Sequence, residues 1–305
     1  MILRQMPAIA HEPFRRWFYA RWGRENCIVW ARTQKVAMPP FEQRLSIKAA
    51  WGGCEEYFVD GRRVAVDDET FMILNDGRTY GSRLESPTPV TSFAIFFRPG
   101  MAADVARVHD RPVDALLDDP ARTQGPFFFS EHLRGHDALV SPVLRFIRRH
   151  VEAGLDDEAW YEEQLYFLLG RMQCLHTRDG AAMERVPAVR RSTRREIFRR
   201  LGLCIDFIHT NYRRPIGLAE IAAAAHLSPY HCLRLFRAVH RCTPVAYLRQ
   251  HRLRAAARLL RETATPVADI AARVGIESRS TLFRQLRAAH GASARALRVH
   301  PTAGE

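Results

Sequence analysis

Histidine is missing from residues 12–108 of this 305-residue chain. Imidazole is a common ligand for transition metals, and a site made of carboxylates alone would be unusual for them. A His-ligated metal centre is therefore excluded from that segment. Cys-x-x-Cys spacing is missing as well. The six cysteines, Cys27, Cys54, Cys174, Cys204, Cys232 and Cys242, are scattered and read as small buried hydrophobes of a reducing compartment. No run of eighteen apolar residues occurs, so no membrane span is expected. The opening Met1-Ile-Leu-Arg-Gln-Met-Pro7 lacks the charged-then-apolar pattern of a secretory leader, and a cytoplasmic location is expected. Lysine is absent from residues 195–305, although that segment is the basic one. It holds 19 Arg against 7 Asp and Glu, or +12 of the chain's formal +13. A basic segment beside a near-neutral one points to a polyanionic partner for the first alone.

What the basic segment contains is an internal repeat. Leu218-Ala-Glu-Ile-Ala-Ala223 reads against Val267-Ala-Asp-Ile-Ala-Ala272. Arg234-Leu-Phe-Arg-Ala-Val-His240 reads against Arg284-Gln-Leu-Arg-Ala-Ala-His290. Each copy offers a short Ala-rich helix, a turn, and a longer helix with Arg on its outer side. This is the sequence form of a helix-turn-helix, whose second helix enters the DNA major groove. Ser228-Pro229, Thr243-Pro244 and Thr265-Pro266 each supply an N-cap hydroxyl followed by a proline that needs no amide donor. Ser278 is the expected cap of the second long helix. Gly275 supplies a permissive backbone in the second turn, and His226 holds the matching place in the first.

The N-terminal texture is different. Residues 1–40 show no sustained period beyond Phe14, Trp17, Phe18 and Trp22 at helical spacing. Short strands then follow at Leu45–Trp51, Glu55–Val59, Arg62–Val66, Phe71–Leu74 and Val90–Phe97. Asp60-Gly61 and Asn75-Asp76-Gly77 mark tight turns between them. This run predicts a small β-sandwich or barrel. Without metal ligands its interior reads as a sensor pocket or a structural unit, with Trp51, Tyr57 and Tyr80 the polar aromatics to watch. Two helices follow, Ser141–Val151 and Asp156–His176. The second carries Tyr161, Leu165, Leu168, Leu169, Met172 and Leu175 near one face, which can pack on its own barrel. Residues 178–193 lack apolar periodicity and read as a linker. Thr193-x-x-Glu196 then reads as a capping box opening a scaffold helix with Ile197, Leu201, Cys204, Ile205 and Ile208 on one face.

The C-terminal third resembles the DNA-binding domain of the AraC/XylS family of bacterial transcription regulators. The matching residues are Ser228, Pro229, Tyr230, Arg234, Leu235, Phe236, Thr243-Pro244, Tyr247-Leu248, Arg252-Leu253, Ala256 and Leu259-Leu260. The second half adds Ile270-Ala271, Val274-Gly275, Arg284, Arg287, Gly291, Ser293 and Arg298. The chain departs from the family pattern at Ile276, where Phe is usual, and at Arg241, Ala294 and Leu297, where Gly, Pro and Tyr are common. The resemblance implies an α+β two-domain fold. A cupin-like barrel with trailing helices would occupy 1–177, a linker 178–193, and an all-α domain with two helix-turn-helix motifs joined by a long helix 194–305. It implies a DNA-binding regulator, an activator rather than a repressor, responsive to a small-molecule effector, working as a homodimer with promoter DNA and RNA polymerase as partners. For the helix Asp156–His176 it implies pairing of two subunits as the alternative to packing on its own barrel. No cofactor, metal or catalytic residue is expected. The rival is a metal-dependent cupin enzyme fused to a DNA-binding tail, against which the missing histidines count. His231, His240 and Cys242 fit no compact zinc spacing.

The DNA-contacting residues are expected on two helices. On the first, running from Pro229 to about Val239, Tyr230, Leu233, Arg234 and Arg237 face outward and Cys232, Leu235, Phe236 and Val239 inward. Arg234 is placed to pair bidentately with guanine O6 and N7, and Arg237, one turn on, to meet phosphate. On the second, Arg279 to His290, the outward residues are Arg279, Ser280, Thr281, Arg284 and Arg287. Leu282, Phe283 and Leu286 cover its inner side.

Overall fold

The computed structural model of the protein describes residues 1–8, 11–109, 128–290 and 294–298. The chain divides into two compact units, Met1–Ala182 and Met183–Glu305. The first is sheet-rich and the second helical, so the two-part α+β organisation holds. The division falls inside the expected linker. Residues 178–183 continue a helix instead, because they finish the stretch Glu158–Met183. Only residues 184–190 connect without regular structure.

The first unit is built on two long antiparallel strands, β2 (Cys27–Gln43) and β7 (Arg78–Phe96), paired from Cys27↔Phe96 to Gln43↔Arg78. Both were under-read from sequence. Residues 27–31 of β2 are mostly buried on both faces and so show no alternation, and Pro39-Pro40 sits in a register shift between Met38 and Phe41. Gly81 of β7 faces that shift. A Cβ there would lie 2.7 Å from the Met38 carbonyl oxygen, so only glycine lets the bulge approach. Val90–Phe97 is thus the second half of a longer strand, and that half also pairs with β3 (Ser46–Trp51). The first half of β7 pairs instead with β4 (Cys54–Val59).

The remaining strands are β1 (Ile2–Leu3), β5 (Arg62–Asp67), β6 (Thr70–Leu74) and β8 (Leu133–Gly135). They complete an order β1-β2-β7-β3-β6-β8, with β4 and β5 branching from β7. Asp60 and Gly61 both take positive φ in the β4–β5 turn, as an Asp-Gly hairpin requires. The expected closed barrel is not formed among the described residues. β5 pairs only with β4, β8 is three residues long and pairs only with β6, and no ladder joins these ends.

The sheet is covered by α1 (Glu12–Arg21), α2 (Met101–His109), α3 (Ser141–Glu152) and α4 (Glu158–Met183). Ile47, Phe71, Ile73, Phe93 and Ile95 pack against Leu144 and Ile147 of α3 and Leu165, Leu168 and Met172 of α4. Each such side chain contributes about 1.5–3 kcal/mol on full burial. All six apolar residues expected on one face of α4 are buried against this core, while Tyr166 and Phe167 stay exposed.

The second unit contains α5 (Arg191–Asn211), α6 (Leu218–Ala224), α7 (Pro229–His240), α8 (Pro244–Glu262), α9 (Val267–Arg273), α10 (Arg279–His290) and α11 (Ala294–Leu297). The helix α8 touches every other helix of the unit. Its buried Leu248, Leu253 and Leu260 flank the small Ala255, Ala256 and Ala257, over which neighbours can approach closely. Two expected caps are absent. α5 begins at Arg191 with no side-chain cap, so the Thr193–Glu196 box does not form; Glu196 instead accepts from Arg199 and Arg200. Pro266 rather than Thr265 precedes α9, and its ring carries no hydrogen-bond acceptor to cap the helix.

Candidate nucleic-acid interface

Helices α7 and α10 begin alike. The Ser228 hydroxyl accepts the His231 amide at 3.3 Å, and the Ser278 hydroxyl accepts the Thr281 amide at 3.2 Å. Thr243 opens α8 the same way, accepting from Ala246 at 3.1 Å. Such caps contribute about 1 kcal/mol each. The turns before the two helices are alike as well, since His226 has φ 54° and Gly275 has φ 72°. Arg241 closes α7 at φ 62°. A non-glycine residue there carries left-handed strain of about 1–2 kcal/mol.

The inner face of α7 falls where the spacing put it. Cys232, Phe236 and Val239 are fully buried and Leu235 nearly so. The Cys232 sulfur lies 3.6 Å from that of Cys204 on α5. On the outer face Tyr230 is 71% and Leu233 36% exposed, and Arg234 and Arg237 are both exposed. On α10 Arg279, Ser280, Arg284 and Arg287 are exposed and Thr281 is half-buried. Arg234 and Arg284 stand six residues after their respective serine caps, and Arg237 and Arg287 nine after. None of these four guanidinium groups forms an ion pair or hydrogen bond among the described residues. Arg279 behaves differently, lying over the Phe283 ring at 5.2 Å. Phe283, expected inside with Leu282 and Leu286, is only half-buried and serves as that arginine's platform. Ser280 and Thr281 hydroxyls are both 3.0 Å from the Ser278 hydroxyl. The His231 ring bonds the Ser228 hydroxyl, and the His240 ring lies tilted against Phe236 at 4.4 Å.

Sequence reasoning assigned no role to the arginines that fasten the frame. Arg185, in the expected linker, donates from Nε and Nη2 to the Val239 carbonyl at 3.1 and 2.8 Å, neutralising the C-terminal end of α7. Arg252 of α8 donates to the carbonyls of Tyr212 and Arg214 at 2.8 and 2.6 Å. Arg298 donates to Thr265 ahead of α9. Also missed was a buried polar cluster. His209 Nε2 meets the Tyr247 hydroxyl at 2.9 Å, and the His251 ring packs edge-on against His209 and Tyr212. Burial, with Arg254 adding, pushes the His209 pKa down to about 3. Burial also holds His251 well below the ordinary histidine value. Both are neutral and structural at pH 7. Gly291 and Ser293, which the family pattern also matched, lie outside the described residues.

The model of a helix-turn-helix domain family matches residues 221–299, which span both helix pairs. Regulatory protein SoxS of Salmonella typhimurium is 35% identical over 83 residues, covering 27% of this chain and 78% of SoxS. The chain belongs to the AraC/XylS family of DNA-binding transcription regulators. The lactose operon transcription activator of Staphylococcus xylosus is 35% identical over 71 residues, 23% of this chain and 25% of that protein. The bifunctional transcriptional activator/DNA repair enzyme AdaA of Bacillus subtilis is 35% identical over 88 residues, 28% of this chain and 42% of AdaA. The matches thus span less than half of these two relatives. In this AraC/XylS chain the departures at Arg241 and Ile276 are accommodated. Arg241 adopts the left-handed backbone itself, and Ile276 is buried at 6% exposure. No helix among the described residues is long and apolar enough to cross a membrane.

Proposed function

We propose that this AraC/XylS regulator reads two successive major grooves of promoter DNA with α7 and α10, held in register by α8. The observation that carries this reading is the pair of exposed, unpaired arginines at equivalent places on two serine-capped helices. Arg234 and Arg284 read base edges, with Tyr230 and Leu233 giving apolar contact to thymine methyls. Arg237 and Arg287 meet phosphate, and Arg279, Ser280 and Thr281 complete the second surface. The nineteen-residue α8 is about 28 Å long at about 1.5 Å per residue, comparable to the roughly 34 Å between successive grooves. The protein acts in the cytoplasm. Two of the relatives carry "activator" in their names, which favours activation, through contact with RNA polymerase, over repression. The sheet-rich unit binds a small-molecule effector, and Tyr166 and Phe167 on α4 offer an apolar face for pairing two subunits.

A competition titration against cognate and scrambled duplexes at two salt concentrations tests the assignment. Arg234→Ala should lose about 1–3 kcal/mol on the cognate site and relax preference at one base position. Arg237→Ala should weaken binding to all sequences alike and reduce the salt slope by about one. Identical behaviour of the two variants would show that Arg234 is not a base reader.

A further inference from the structure

Of the 46 basic residues in the chain only Lys35 and Lys48 are lysines. Lys35 is exposed on β2, whereas Lys48 on β3 is 3% exposed. An arginine in that place would be a permanent buried charge; a lysine can shed its proton and stay as a neutral amine. Lys48 lines a cavity of about 50 Å³ between the sheet and α1, together with Gln43, Glu55, Tyr57 and Tyr80 and walled by Phe18, Trp22 and Phe96. Its Nζ lies 3.5 Å from the centre of the Phe96 ring and 5.2 Å from that of Tyr80. Among the described residues Lys48 forms no ion pair. The Glu55 carboxylate instead accepts the Ser92 hydroxyl at 2.6 Å. Burial brings the Lys48 pKa down to about 7, against Glu55 and Cys27, which favour the ammonium. The facing phenols of Tyr57 and Tyr80 are pushed up by burial and stay protonated.

A second feature of the cavity is unsatisfied. The Gln43 side-chain carbonyl, on a residue 5% exposed, has no hydrogen-bond partner among the described residues. An orphaned buried acceptor costs about 1–3 kcal/mol. It is free to accept from a guest inside the cavity. An apolar cavity of about 150 Å³ accommodates benzene, so this one suits a guest of roughly two to four heavy atoms.

We propose that Lys48 captures a small aldehyde as an imine inside this cavity. The neutral amine attacks the carbonyl carbon, forming the C–N bond, and one N–H proton ends on the former carbonyl oxygen. The resulting carbinolamine hydroxyl can donate to Gln43 Oε1. It then leaves with the second N–H proton as water, and C=N remains; amine and aldehyde give imine and water with no oxidant or reductant. The apolar wall of Phe18, Trp22 and Phe96 limits the water that would hydrolyse the product. The capture stands on the cavity alone, while its use as a signal rests on the effector-responsive regulation proposed above.

The test uses full-length protein, acetaldehyde and cyanoborohydride at pH 7, with peptide mass mapping of ethylated lysine. Lys48 should be labelled at least about ten-fold faster than Lys35, the exposed amine that serves as the internal reference. A larger aldehyde, 4-hydroxybenzaldehyde, should reverse that preference because it does not fit. Lys48→Met should lose the label while melting near the parent temperature. If that variant does not fold, the size discrimination in the unmodified protein decides alone. Equal or faster labelling of Lys35 by acetaldehyde overturns the proposal. Labelling of Lys48 that leaves promoter affinity unchanged upholds the capture and sinks the effector-responsive reading.

Discussion

Replacing Gly275 by alanine should destabilise the helical unit more than any surface change in it. Gly275 sits in the turn before α10 at φ 72°, where an L side chain costs about 1–2 kcal/mol. Its hydrogen faces backbone, since a Cβ would lie 2.7 Å from the Tyr212 carbonyl oxygen and 2.8 Å from that of Arg213. Neither oxygen can yield freely. The Tyr212 carbonyl is the acceptor of Arg252 Nε at 2.8 Å, a charge-assisted bond of about 1.5–3 kcal/mol. Alanine restricts the unfolded chain and returns about 0.4–1 kcal/mol. The net loss is about 3 kcal/mol. Unfolding entropy of roughly 2.1 cal/mol/K per residue over Met183–Glu305 makes each kcal/mol worth about 4 °C, so the transition should fall by about 12 °C. Calorimetry of the full chain, which follows the two units as separate transitions if they unfold independently, gives the reading. A shift under about 2 °C would refute the close approach of Gly275 to the α5–α6 connection.

Other changes should follow the same logic. Arg241→Gly relieves left-handed strain at the end of α7 and should raise the melting temperature, by up to about 1 kcal/mol in stability, without loss of DNA affinity. Phe236→Ala empties a fully buried position and should cost about 3–5 kcal/mol, losing DNA binding through unfolding in a parallel melt. His209 is lowered to about 3 and His251 well below its ordinary value, so below about pH 6.5 the unfolded chain binds protons the folded chain refuses. Their contribution is complete above pH 6.5 and is lost as pH falls, at up to about 1.4 kcal/mol per pH unit for each histidine. Denaturant midpoints at pH 7.5, 5.5 and 4.5 should decline accordingly, and a flat series would show the rings protonated in the fold.

The helical unit was largely legible because its signals are local. Ser228-Pro229 and Thr243-Pro244 fixed where α7 and α8 begin, and the repeat offset fixed the outward arginines. Gly275 and His226 marked turns whose backbone sign follows from the residue or from its place in the repeat. What stayed hidden there depends on contacts distant in sequence. Nothing near Arg185 or Arg252 announces that each fastens a carbonyl 54 or 40 residues away. The buried His209–Tyr247 pair likewise joins two helices whose patterns look merely amphipathic. The sheet was harder. Strands buried on both faces, as in β6, lose the period-two pattern, and Pro39-Pro40 disguised the middle of β2 as a loop. Hairpin turns could be read, but whether the ladder closes depends on pairings between strands distant in sequence, and a barrel was expected where the ends stay apart. Tyr57 and Tyr80, marked as polar aromatics, do line the interior cavity, while Trp51 stacks with His136 and under the Arg148 guanidinium instead. Lys48 was passed over because one lysine in an alternating strand carries no sign of its burial.

The central claim is that one subunit reads DNA twice, with α7 and α10 in successive grooves. Hydroxyl-radical footprinting of the full chain on a cognate promoter measures this most directly, with Arg284→Ala run beside it. The account predicts two protected clusters per subunit, about 10 base pairs apart on one face of the duplex, with the variant losing only the cluster under α10. A single protected cluster per subunit, unchanged by Arg284→Ala, would contradict it.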